Sequence, residues 1–260
     1  MLGRTHALSG AAVFTGLDAG LLHLGPAPLL TGAVLTAGAA VLPDLDHPDA
    51  TVSRTFGFLT QALAWAVAKA SGGHRHGTHS AAGAAVATGL AVLARAFAHT
   101  TAGLAALALL AALLLAAGLR ALRIGGHSGD LAAIAAAAAM AWTGAGLTLL
   151  PWAVALGTAT HIAGDMLTTE GCPLAWPLSR RHCWLLPGPL RFETGHLAER
   201  WAIFPALLAT LACTAVLALH GLRPPLCSWP GRDDPAAGRC SLIRAQPSQP
   251  LRPHTARRPQ

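Results

Sequence analysis

Three stretches of the chain, residues 101–119, 131–150 and 201–219, contain no Asp, Glu, Lys, Arg or His. A hydrocarbon core of ~30 Å takes about 20 apolar helical residues to cross, and these runs are of that length. Inside a bilayer the backbone finds no water, so every N–H and C=O must be satisfied within the segment. Runs rich in Ala and Leu meet that demand as helices. The composition excludes a soluble α/β enzyme: 53% of the 260 residues are apolar and only 11% charged, against roughly 25% charged in soluble domains. The 28 Gly and 18 Pro show no triplet period, which removes the collagen-like class.

Apolar runs between breakers predict helices at 7–22, 28–43, 56–71, 81–98, 101–122, 130–150, 152–168 and 201–221. The third is short and punctuated by Gln61 and Lys69, so it is expected to lie along the interface. The expected fold is all-α, a polytopic membrane helical bundle of about seven spans plus one interfacial helix, covering residues 1–222. Seven spans put the polar segments 44–55, 72–80, 120–129 and 169–200 on the side of the N-terminus. That side carries Arg4, Arg54, Lys69, Arg75, Arg120, Arg123, Arg180, Arg181, Arg191 and Arg200, whereas the opposite loops hold little beyond Arg95. The positive-inside rule makes it cytoplasmic, in a multi-pass protein of the inner or plasma membrane.

A net charge of +7 invites a nucleic-acid reading until its place is known. Residues 223–260 hold seven Arg and two Asp, leaving a balance of only +2 for the first 222. The basicity belongs to a Pro-, Arg-, Gln- and Ser-rich tail expected to be disordered, and no nucleic-acid partner is expected. Five Cys, an odd number without a CxxC pair, indicate neither a disulfide framework nor a thiolate zinc site.

Ionisable groups near a span are costly, which makes each a functional candidate. Asp44, Asp46 and His47 crowd between Pro43 and Pro48 just after the second helix. Carboxylates so spaced can share a cation, or one can ligate while the other orients a histidine. His74, Arg75, His76 and His79 stand just before the fourth helix, with Ser80 placed to cap it. His161 and Asp165, at i and i+4, share a helix face about 6 Å apart. His6 opens the first helix, and Glu193, His196 and Glu199 precede the last. Alone, each group also fits a solvated turn, a cap or a helix-to-helix contact. On the span count above all of them reach one membrane face, and His and carboxylate converging there point to a catalytic metal site.

Read in order, Thr5-His6 with Gly10, Leu42-Pro43-Asp44-Leu45-Asp46-His47-Pro48, His74-Arg75, Thr78-His79-Ser80, His161-x-x-x-Asp165 with Thr169 and Gly171, and Thr194-Gly195 with Glu199 resemble the integral-membrane metal-dependent hydrolases of the YdjM/DUF457 type. The resemblance covers residues 1 to about 222. One departure is that the family's usual His-Arg-Gly-x-Thr-His-Ser is here His-Arg-His-Gly-Thr-His-Ser, and the displaced glycine counts against His76 as a ligand. More remotely the order is similar to zinc-dependent phospholipase C and its related single-strand nucleases. The resemblance implies His6, Asp44, His79, His161, Asp165 and Glu199 as metal ligands for two or three divalent ions, with Zn2+ foremost. It implies Asp165, Arg75 and Asp46 as catalytic groups, Asp165 bridging the ions and Arg75 holding a phosphoryl oxygen.

The function expected is therefore hydrolysis of a phosphoester at the membrane surface, on a lipid or lipid-linked substrate. Two other readings stay open. A metal-binding transporter would use Asp18, His161 and Asp165, and a non-catalytic regulatory protein would meet anionic lipid through its basic tail.

Overall fold

The computed structural model describes residues 1–220, and these are all-helical apart from turns and two isolated bridges, Thr168 with Phe192 and Cys172 with Cys183. The expected tail at 223–260 lies outside the described residues. Eight α-helices follow one another: α1 Gly3–Leu17, α2 Pro26–Ala39, α3 Phe58–Ser71, α4 Ala81–Ala96, α5 Thr101–Ala121, α6 Gly126–Thr143, α7 Leu149–Asp165 and α8 Phe204–Leu219. Single π-helical turns extend α1 over Asp18–Leu22 and lead into α8 over Glu199–Ile203.

The run expected as one helix at 130–150 is broken. Gly144 and Gly146 take φ of 73° and 77°, the left-handed geometry that ends a helix and that only glycine adopts without strain. α6 therefore stops at Thr143, and α7 begins at Leu149, with Pro151 in its first turn, where a missing N–H costs nothing.

α2 sits at the centre, packed against α1, α5 and α7; α6 lies on α5, α4 on α7 and α5, and α8 on α1. Close approach at the centre is made by glycine. A Cβ on Gly10 of α1 would meet the Thr36 carbonyl oxygen at 2.6 Å, and one on Gly157 of α7 would meet Ala39 Cβ at 2.5 Å. Small residues at crossings let helices gain packing where the lipid offers no hydrophobic drive. One apolar cluster joins Leu35, Leu107, Leu114 and Leu150, and a second joins Phe14, Leu29, Val41 and Val52.

Three segments are long and apolar enough to cross a membrane: Pro26–Asp46, Thr101–Ala121 and Glu199–Leu219. That is fewer than the seven expected, because the other helices are shorter or less apolar. α8 buries none of its residues, which fits an apolar helix facing lipid. α3 leaves and returns to the same end of the bundle, since Asp46 before it and His74 after it are hydrogen-bonded at 2.8 Å.

Candidate metal centre

Pro43 starts a 3-10 turn over Pro43–Asp46 at the end of α2, and His47, held extended before Pro48, terminates it. With about three residues per turn, side chains two apart point in different directions. Asp44 faces the helix ends, while Asp46 faces the 74–79 loop. Asp46 is buried and fully engaged: it accepts from His74 Nδ1 at 2.8 Å, from the Arg75 N–H at 3.2 Å and from Thr78 Oγ1 at 2.5 Å. It therefore holds the loop in place, where the sequence had cast it as a catalytic group. The loop ends in a cap read correctly from sequence, with Ser80 Oγ accepting from the Gly83 N–H at 3.1 Å and His79 fixed just ahead of α4.

Two imidazoles have one nitrogen committed and the other unspent. His161 donates through Nδ1 to the Ala40 carbonyl at 2.7 Å. His79 donates through Nδ1 to Thr78 Oγ1 at 3.0 Å, and that hydroxyl donates onward to Asp46. Both Nε2 atoms are buried without a hydrogen-bond partner, a state that normally costs stability and calls for an explanation. They face the same two carboxylates. His79 Nε2 is 3.3 Å from Asp44 Oδ1 and 3.8 Å from Asp165 Oδ2, and His161 Nε2 is 3.7 Å and 3.5 Å from the same two atoms. Ligand atoms around a tetrahedral zinc, each roughly 2.0–2.1 Å from the ion, stand about 3.3 Å from one another. The four N···O separations lie near that value, and a divalent cation there would give both partnerless Nε2 atoms a ligand role.

His6 completes the floor of the centre. Its ring stacks on His161 with centroids 3.8 Å apart, and Nε2 lies 3.1 Å from Asp165 Oδ1. The same oxygen receives the Met1 amine at 2.6 Å. Gly164 permits this approach, because a Cβ there would stand 3.2 Å from the His6 ring. Two neighbouring groups can each hold an ion, His6 with His161 and Asp165, and Asp44 with His74 and His79. His74 was not among the ligands expected from sequence, although it stands in the same motif as His79 and belongs to the second of these groups.

Glu199 does not join them. It is buried, and its oxygens accept from the Leu2 N–H and the Gly195 N–H, each at 2.7 Å, so it ties the start of α1 to the loop before α8. Arg75 sits at the rim, its backbone on Asp46 and its Nη1 without a hydrogen bond, 3.9 Å from Glu170 Oε2. His76 bonds only its own loop, at the His74 carbonyl. Among the described residues Cys172, Cys183 and Cys213 are free, and burial pushes the Cys172 thiol up to about 12, which keeps it from serving as a thiolate. The floor of His6, His161 and Asp165 is closed to solvent, while Asp44, His74 and Arg75 are partly exposed, so access is from the rim.

The sequence model of one family, described as YdjM inner membrane protein, matches residues 1–223. No curated protein and no solved structure gives a match.

Proposed function

The chain belongs to the YdjM inner membrane protein family, and on that premise we propose that it is a metal-dependent hydrolase acting on a phosphoester at the membrane surface. The observation that carries the reading is the pair of buried, partnerless Nε2 atoms of His79 and His161 facing Asp44 and Asp165 at 3.3–3.8 Å. His79, His161, Asp44 and Asp165 would hold a divalent metal, zinc among those their N,N,O,O set suits, and when bound it would supply Lewis-acid polarisation of a phosphoryl oxygen and an activated water.

The chain's own groups supply the rest. Asp165 spans both ligand groups, with one oxygen toward His6 and the other toward His79 and His161. Arg75 is partly exposed at the rim, its buried Nη1 without a hydrogen bond and 3.9 Å from Glu170 Oε2, and a phosphoryl oxygen that took it from Glu170 would meet the planar fork that suits phosphate. Asp46 positions His79 through Thr78, with its Oδ2 also 3.6 Å from His79 Nδ1. Orienting partners of this kind sharpen a ligand's aim without binding the ion themselves.

His6 at the start of α1, Asp44 after α2, His79 before α4 and Asp165 at the end of α7 meet at one end of the bundle, the end that seven membrane-crossing helices with an interfacial α3 would share. Arg4, Arg120, Arg123 and Arg200 gather at this end, and the positive-inside rule would put it on the cytoplasmic side. A phosphoester carried on a lipid would meet the rim at headgroup level. The test is turnover of a phosphodiester and of phosphatidate by zinc-loaded protein in mixed micelles, compared with the Asp165→Ala variant. Turnover by the wild type alone supports the reading, and equal rates for the two proteins overturn it.

A further inference from the structure

At the same end of the bundle as the metal centre lies a cavity of about 450 Å³, within the roughly 300–1,000 Å³ that small-molecule sites occupy. Its walls include four guanidinium side chains from three parts of the chain: Arg4 in the first turn of α1, Arg120 and Arg123 at the end of α5, and Arg200 ahead of α8. No carboxylate is among the lining residues.

Among the described residues only one of the four charges is met by a carboxylate. Asp130 of α6 takes Arg120 in a two-pronged pair, at 2.7 Å to Nε and 2.5 Å to Nη2. Among the described residues no carboxylate pairs with Arg4, Arg123 or Arg200. The nearest acid in sequence, Glu199, spends both oxygens on backbone N–H groups. Arg4 is held rather than loose: its guanidinium lies 5.0 Å from the Phe204 ring centroid, and its Nε is buried with no hydrogen-bond partner. At Arg123 the backbone takes φ 61°, uncommon for a long side chain, where α5 ends on the cavity wall.

A cavity that gathers three uncompensated positive charges costs Coulomb energy until an anion fills it. The position says where the anion comes from. α8, which Arg200 precedes, buries none of its residues, and Trp201 is 77% exposed. Arg and Trp at a helix end mark the headgroup level of a bilayer. The charge says which anion: a phosphodiester brings one negative charge, whereas a terminal phosphate brings close to two at neutral pH and offers the oxygens that several guanidinium forks can share.

We propose that this arginine cavity binds the terminal, doubly charged phosphate of a lipid headgroup lying beside α8. Inorganic phosphate offers the same chemistry in solution, so the test separates the two sources. The proposal concerns binding and stands apart from any hydrolysis at the metal centre.

The experiment measures binding of labelled phosphatidate and labelled phosphatidylglycerol to the full chain in an uncharged detergent, with metal content recorded for every protein. Phosphatidate is expected to bind about tenfold or more tighter than the diester lipid, and Arg4→Gln/Arg200→Gln to lose about tenfold or more of that affinity while keeping its metal. Because Arg4 is partly buried, Arg123→Asn/Arg200→Gln provides a second variant on exposed positions, with Asn chosen to suit the left-handed backbone. Displacement of phosphatidate by millimolar inorganic phosphate supports the site and assigns its source to solution. Failure of displacement supports the lipid. Equal affinity for the two lipids, or wild-type affinity in a metal-retaining variant, overturns the proposal.

Discussion

His161 gives its Nδ1 proton to the carbonyl oxygen of Ala40 at 2.7 Å, so one hydrogen bond fastens α7 to the end of α2 and aims Nε2 at Asp44 and Asp165. That bond depends on how closely the two helices lie. A Cβ on Gly157 would come within 2.5 Å of Ala39 Cβ and 2.6 Å of the Ala40 nitrogen. Gly157→Val is therefore expected to cost about 1–3 kcal/mol of stability through overpacking and to lose bound metal as His161 is pushed off its partner. Thermal melting with elemental analysis checks both, and full metal content in the variant would show that the centre tolerates the shift.

Burial alone would lower the pKa of His79, but its contacts with Asp44 and Asp46 prevail and hold it at about 9, above the ordinary 6.5. In metal-free protein the stability this proton contributes is thus fully present below about pH 6.5 and is lost as pH rises through about 9. A metal at Nε2 takes the proton's place. Metal affinity is expected to rise with pH up to about 9, with proton release on binding. Zinc titrations in two buffers of different ionisation enthalpy measure that release, and none at pH 7 would remove His79 from the ligand set.

Asp165 and Asp46 are both buried carboxylates, yet they should behave differently. Asp165→Ala removes a ligand of the His6–His161 group whose other oxygen lies 3.8 Å from His79 Nε2 of the neighbouring group, and is expected to abolish metal binding and hydrolysis together. Asp46→Ala leaves the ligands in place but frees the loop that aims His79, so metal affinity should fall roughly 10–100-fold without vanishing. Metal binding curves for the two variants separate the roles, and identical losses would mean that Asp46 is itself a ligand.

Much of this was legible in the sequence because the helices are set by strong local signals. Uncharged Ala- and Leu-rich runs placed α5 and α8, Ser80 marked the start of α4, and the polar interruptions at Gln61 and Lys69 set α3 apart. The break between α6 and α7 was not legible, since Gly144 and Gly146 lie inside an apolar run whose hydropathy hides their backbone geometry. In the site, the convergence of His6, Asp44, His79, His161 and Asp165 followed from counting sides of the membrane. The assignments of Asp46 and Glu199 depend on which hydrogen bonds their oxygens make, and sequence spacing carries no record of that. His74 could have been found from its motif. The arginine cavity could not, because its four walls come together only when α1, α5 and α8 pack.

The most direct measurement of the central claim is the metal content of the wild-type chain purified in detergent without chelator, set beside His79→Ala/His161→Ala. One or two equivalents of divalent metal per chain are expected in the wild type, and a near-complete loss in the double variant. A wild-type protein that carries no divalent metal and takes up none when zinc is added at neutral pH would contradict the account.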